Sequence, residues 1–189
     1  MIYKALKQQR FEYLPYAIVP IRMVDMSLIK DWRNAQLTVL RQKELLTEDV
    51  QRFYFNSVVT KLFDEENPKQ ILVSYLKNDL LIGYGGLVHI DWLDKRAEVS
   101  FLLDPIHVAD SATYRIEFSV FLSLVKQLAF KELALNRLFT ETFDIRELHV
   151  SVLEANGFLF EGRMRKHVLI NSVFYDSLIH GCLRQDENI

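Results

Sequence analysis

Cysteine occurs once in the 189 residues, at Cys182, so no intramolecular disulfide can form and a cysteine-based zinc site lacks its thiolates. Glycine is scarce too: six in all, and none between Gly86 and Gly157. That long gap leaves no glycine for a phosphate-cradling turn in the middle of the chain. A strong charge of either sign is also missing. The net charge of −2 gives no global field to attract nucleic acid or an anionic membrane surface. No run approaches the ~20 apolar residues that span a bilayer, and the first 16 residues hold no signal-type apolar stretch. The expected setting is the cytoplasm, with neither nucleic acid nor membrane as partner and no metal.

Half of the residues are hydrophobic and a quarter charged, which suits one α/β domain over 1–189 with a sizeable core. Residues 16–22 (YAIVPIR) read as an edge strand because of Pro20. Asp25 or Ser27 is expected to cap a helix through Asn34. Thr47, followed by Glu48 and Asp49, opens a second helix with Val50, Phe53, Tyr54, Val58 and Leu62 at helical spacing. Residues 64–70 form a charged loop. Residues 70–76, 80–92 and 96–103 alternate as three strands of an antiparallel meander. A long helix over 114–133 is expected to face the sheet with Ile116, Val120, Phe121, Leu124, Leu128 and Phe130. A strand over 137–143 follows, then a helix over 146–156 ended by Gly157, and a hairpin of 158–169 with 173–183. The expected class is mixed α/β (α+β), a mostly antiparallel sheet with helices on both faces.

Several phrases in this order resemble the GNAT superfamily of acyl-CoA N-acyltransferases, and most closely its RimJ/RimL-like branch of ribosomal-protein and amino-sugar N-acetyltransferases. They are Trp32-Arg33-Asn34; LIGYGGL at 81–87; AEVSF at 97–101; LAFKELALNRL at 128–138; LEANGF at 153–158 with Glu161-Gly162; and Tyr175-Asp176-Ser177. The resemblance spans about 18–183. It implies transfer of an acetyl group from acetyl-CoA, as co-substrate, to a primary amine. The acceptor would be a small-molecule amine, a nucleotide-linked amino sugar or a protein N-terminus. It also implies a splay between the fourth and fifth strands, with pantetheine on the backbone of Phe101, Leu102 and Leu103. The diphosphate would lie at the start of the long helix, where unpaired N–H groups favour an anion.

The phosphate turn departs from the family pattern: residues 104–118 contain no glycine. Two readings follow. In one, the loop is rebuilt, with Ser111, Thr113 and Tyr114 holding the phosphates and Arg115 supplying charge. In the other, the site is lost and the fold serves as a binding or assembly module. Asp110 would repel a diphosphate, or serve simply as the helix cap.

Amine acylation needs a base, and an acid for the departing thiolate. Glu98 is the first candidate base; its alternative is a solvent-facing partner of Arg96 or Lys95. His89 and Asp91 are expected to share a strand face and to orient an acceptor or relay a proton. Tyr175 or Tyr84 could be the acid. Arg33, Asn34, Tyr84, Asp91, Trp92 and Glu141 are candidates for the acceptor side, and His149 for the cofactor arm. Trp92 could equally pack on the meander, and His149 could lie on the helix surface. An edge at residues 173–183 would let an assembly subunit or a homodimer pair there.

Overall fold

Asn78 and Asp79 both adopt positive φ, 50° and 64°, the backbone that closes a two-residue hairpin with the proper twist. They turn β3 (Ile71–Lys77) back onto β4 (Leu80–Asp91). Lys95, at φ 53°, lies in the turn from β4 to β5 (Arg96–Leu103) and completes the meander. The structure is a computed structural model and describes residues 1–186. β1 (Phe11–Tyr13) and β2 (Tyr16–Pro20) precede the meander, and β6 (Arg137–Phe143), β7 (Leu159–Ile170) and β8 (Val173–Leu183) follow it. All eight join one mixed sheet in the order β1-β2-β3-β4-β5-β6-β8-β7. Every neighbouring pair is antiparallel except β5 and β6.

Helices cover both faces. On one lie α1 (Met26–Ala35) and α2 (Glu48–Tyr54), the latter running on through a π turn (Phe55–Val59) into α3 (Thr60–Leu62). On the other lie α5 (Ser111–Lys126), extended by a π turn (Gln127–Glu132), and α6 (Glu147–Ala155). A short α4 (Pro105–Val108) links β5 to α5. Alternation along β5 aims Phe101 at α5, where it stacks on Phe118 with centroids 4.4 Å apart and meets Phe121 at 4.6 Å. Burying each such ring stabilises by roughly 1.5–3 kcal/mol, and the ring pairs add roughly 0.5–1.5 kcal/mol. This cluster fixes α5 across the strands that matter for the site.

Several sequence expectations need correction. β1 pairs outside β2, so β2 is not the edge. Asp25 caps no amide; its carboxylate takes Arg22 at 2.7 and 2.8 Å and the Ser74 hydroxyl at 2.6 Å. The π turn after Tyr54 shifts the inward face to Phe55, Val59 and Leu62 and leaves Val50 and Phe53 exposed. Ile116 is 58% exposed, while Phe121, Leu124, Leu128 and Phe130 are buried as expected. The last hairpin also lies in the reverse sense. β8 runs between β6 and β7, so residues 177–183 form no edge; residues 173–176 extend past the β6 ladder alongside β7, which is the outer strand.

The parallel step is short. β5 and β6 pair only at Arg96–Arg137, Ala97–Leu138 and Glu98–Phe139. Beyond these the strands diverge, although β6 stays paired to β8 as far as Phe143 and β5 to β4 as far as Leu103. The main chain of 99–103 therefore faces β6 without a strand partner.

Candidate active site

Glu98 is the last rung of the β5–β6 ladder. Alternation sends its side chain to the α1–α2 face with Ser100, and the residue is only 7% exposed. A buried carboxylate needs partners, and two converge on it. Arg41 donates to Oε1 at 2.5 Å and to Oε2 at 3.2 Å, and His89 lies 2.8 Å from Oε2 through Nδ1. Arg41 also donates to Glu141 of β6 at 3.0 Å, so a single guanidinium ties the two diverging strands together. His167 stands 3.6 Å from the other oxygen of Glu141. Burial works against the charge on Arg41, yet the hydrogen bond to Glu98 and the two carboxylates outweigh it, and its pKa is raised.

Local sequence explains these positions. His89 sits at φ 50° where the β4–β5 register shifts between Val88 and Asp91. The bulge swings His89 onto Glu98 and breaks the alternation. Asp91 consequently shares no task with His89; it accepts from the amides of Leu93 (3.1 Å) and Asp94 (2.9 Å) and pairs with Arg96 at 3.4 Å. Arg96 therefore takes Asp91, and the alternative pairing of Arg96 with Glu98 is not formed. Arg41 belongs to an irregular segment between α1 and α2 that Asn34 pins: its amide donates to the Leu46 carbonyl at 2.9 Å and accepts from the Leu46 amide at 2.8 Å and from Gln42 at 3.0 Å. Asn34 thus holds a loop and lines none of the three cavities at the site.

Three cavities adjoin along this line. The first, about 330 Å³, lies between the sheet and α1–α2. Arg33, Val88 and Ser100 line both it and the second, about 170 Å³, which occupies the splay. Glu98, Phe101, Thr140 and Glu141 line that second cavity. Val39, Arg146 and His149 are shared between it and a third, about 290 Å³, beside Val108 and Tyr114 at the start of α5. The passage therefore runs from the α1–α2 face through the diverging strands to the start of α5.

Of the other expected residues, Arg33 donates to the Tyr84 hydroxyl at 2.6 Å, and both line the first cavity. Trp92 donates to the Pro68 carbonyl at 2.9 Å and braces the 64–70 loop, away from the passage. Tyr175 pairs with Val168 beyond the end of the β6–β8 ladder and lines none of the three cavities. Phe101 lines the splay; Leu102 and Leu103 are buried, and the Leu103 carbonyl already accepts from Gln36 at 2.9 Å. Asp110 is the α5 cap: its carboxylate accepts from the amides of Ala112 (3.2 Å) and Thr113 (3.3 Å) and from the Thr113 hydroxyl (2.5 Å), and the hydroxyl bond leads in lowering its pKa. Ser111 is exposed on the first turn, and Arg115 reaches Ser151 on α6 at 2.9 Å. His149 is not on a helix surface. It is buried, stacks on Phe118 at 4.3 Å and lies 2.7 Å from the Tyr114 hydroxyl. Burial, followed by the charges near Arg146 and His180, holds its pKa well below the usual value, so the ring stays neutral. Burial likewise raises the Tyr114 phenol.

Sequence reasoning passed over Arg41, Arg146 and Thr140. Arg146 starts α6, lines the second and third cavities, and meets only the Tyr114 hydroxyl at 3.3 Å, with no carboxylate among the described residues. Thr140 Oγ1 is buried on the splay wall without a partner. Among the described residues no cluster could hold a metal ion, and no helix is long and apolar enough to cross a membrane.

Residues 18–179 match a family model described as "Acetyltransferase (GNAT) domain". The chain belongs to the GNAT acetyltransferase family. Solved structures agree on the GNAT fold. Spermidine N-acetyltransferase from Vibrio cholerae, in complex with CoA and spermine, aligns at TM-score 0.78 with 17% identity, over 92% of this chain and 98% of the other. A dodecameric form of the Vibrio cholerae enzyme aligns at 0.75 with 15% identity, over 92% and 96%. A search of curated proteins returns no match. The mixed α/β, mostly antiparallel sheet expected from sequence is therefore the GNAT sheet.

Proposed function

We propose that this GNAT domain transfers the acetyl group of acetyl-CoA to a primary amine, with Glu98 as general base. The supporting observation is the meeting of the acceptor-side cavity and the splay cavity beside a buried carboxylate. Main-chain groups of 99–103 and the open wall of β6 offer an extended, amide-bearing arm the edges it requires, so the pantetheine part fits. The phosphate part fits differently. The first α5 amides are taken by Asp110, and the positive charge comes from Arg146. Acetyl-CoA would supply the activated acyl group.

The acceptor enters from the α1–α2 side and reaches the splay past Arg33 and Ser100. Glu98 accepts its proton, and His89, whose ring is largely exposed, connects that carboxylate to solvent. Thr140 Oγ1, buried and unbonded, offers a hydrogen bond at the thioester end. Tyr175 lies off this line and is replaced in the proposal by Thr140. The Vibrio cholerae structure with spermine supports an amine as acceptor class; the branch resemblance supports an amino sugar. Glu98→Gln should lower kcat by roughly 10²–10⁴-fold while leaving the KM for acetyl-CoA near its original value, measured as thiol release. An unchanged kcat would remove Glu98 from the mechanism.

A second reading, a non-catalytic binding module, is favoured by one observation: the Asp110 carboxylate occupies the helix terminus where a diphosphate would sit. Calorimetry with acetyl-CoA separates the two, since the module reading requires no binding.

A further inference from the structure

Arg33 is half-buried and, among the described residues, has no carboxylate partner. Its Nε donates to Gln42 at 2.7 Å and its Nη1 to the Tyr84 hydroxyl at 2.6 Å, both neutral groups, which leaves Nη2 without a bond. Most other arginines beside a cavity or strand here meet an acid, as Arg22, Arg41, Arg137 and Arg163 do. A guanidinium withdrawn from water without a counter-charge is costly, and Arg33 stands on the seam between the acceptor-side cavity and the splay. Among the described residues no acid lines the acceptor-side cavity; apart from Arg33 its lining is aliphatic, aromatic, amide or hydroxyl. Deeper in the same cavity Gln51 is 3% exposed. Its Nε2 donates to the Met26 carbonyl at 3.2 Å and its Oε1 takes no hydrogen bond.

We infer that the acceptor is an anionic amine: a small molecule with an apolar body in this cavity and a carboxylate or phosphate held by Arg33 beside the amine to be acetylated. This rests on the acyl-transfer reading and narrows it. Both anions present the same paired oxygens to a planar guanidinium. Ser100 and Glu98 are two residues apart on one face of β5, so about 7 Å separates the seam from the base. That spacing admits an amine a few bonds away from its anionic group. A cavity of about 330 Å³ lies at the small end of ligand sites, so it takes one ring or one side chain and leaves any nucleotide outside. A polycation finds a guanidinium at the seam and, among the described residues, no carboxylate lining the acceptor-side cavity. Gln51 Oε1 would accept a hydrogen bond from a donor at the far end of the body.

Thiol release from acetyl-CoA tests this with three kinds of amine: L-phenylalanine and L-leucine for the carboxylate, glucosamine 6-phosphate for the phosphate, and phenethylamine with spermidine as uncharged-body and polycationic comparisons. The expected result is a kcat/KM at least roughly 10–100-fold higher for a carboxylate or phosphate amine than for the comparisons. Arg33→Met should raise the KM of the anionic amine by a similar factor without moving the KM for acetyl-CoA, and Arg33→Lys should restore part of it. Spermidine or phenethylamine used as well as the anionic amines would overturn the inference. So would an Arg33→Met loss equal for every amine, which is the mark of a purely structural arginine. If no amine releases thiol, the acyl-transfer reading fails. Calorimetric binding of the same amines to the native protein and to Arg33→Met then decides the anion site by itself: selective, Arg33-dependent binding of the anionic set upholds it, and its absence removes it.

Discussion

Arg41 is the residue that ties the two walls of the site together. It bridges Glu98 and Glu141, and among the described residues no other arginine or lysine bonds either carboxylate; His89 and His167 lie beside them. Replacing it with methionine would remove the only side chain that hydrogen-bonds both carboxylates among the described residues, and with it the tie between β5 and β6. In Arg41→Met kcat/KM should therefore fall by roughly 10-fold or more, measured as thiol release, because truncating one partner of a buried charge pair is costly. An unchanged kcat/KM would mean that the bridge has no bearing on the site. Strand alternation made legible that Glu98 and Ser100 share the polar face of β5; that this face is buried at Glu98, between Arg41 and His89, was not. Nor was Arg41, because its segment has no periodicity and its place depends on Asn34 and on strands distant in sequence. Asp91 was misjudged for a similar reason: one bulged residue, His89, reverses every assignment made by counting twos.

At the scale of the element, the turn between β5 and α5 decides how a diphosphate is received. A carboxylate at Asp110 satisfies the α5 amides that glycine-rich turns leave open. Asp110→Ser keeps a capping oxygen and removes the negative charge. The expected outcome is an affinity for acetyl-CoA improved by roughly two- to fivefold, read by calorimetry, with the helix retained by circular dichroism. Weaker binding would show that the carboxylate itself contributes to the site. The meander, the long helix and the final hairpin were all legible from turn residues such as Asn78-Asp79 and Asn171-Ser172. The order of β7 and β8 was not, since either strand of a hairpin can pair inward until the rest of the sheet selects one. The exposed first face of α2 was missed because a π turn resets helical spacing without any sequence signal of its own.

For the whole molecule, His149 sets a limit on the acid side. It is neutral in the native state, and its pKa is depressed by burial first and by Arg146 and His180 next. In the unfolded chain it titrates near 6.5. Below that pH the unfolded form binds a proton that the native form refuses, so stability falls with decreasing pH and is complete above the window. The contribution to the slope is about 1.4 kcal/mol per pH unit until the native ring at last protonates. His149→Phe, which preserves the stack on Phe118, should flatten urea-unfolding free energies below pH 6.5. A variant with the native acid slope would exclude this ring as its source.

Three rungs are all that join the five strands from β1 to β5 with the three from β6 to β8. Mechanically, the sheet is two stiff plates on a short seam, braced by α5 on one side and latched by one guanidinium on the other. Amide hydrogens of Arg137 and Phe139, which point toward β5, should therefore exchange in step with the opening of the plates, faster than those of β3 and β4. A carrier wedged between the plates would slow them together, so substrate occupancy could be followed at the hinge without observing any chemistry.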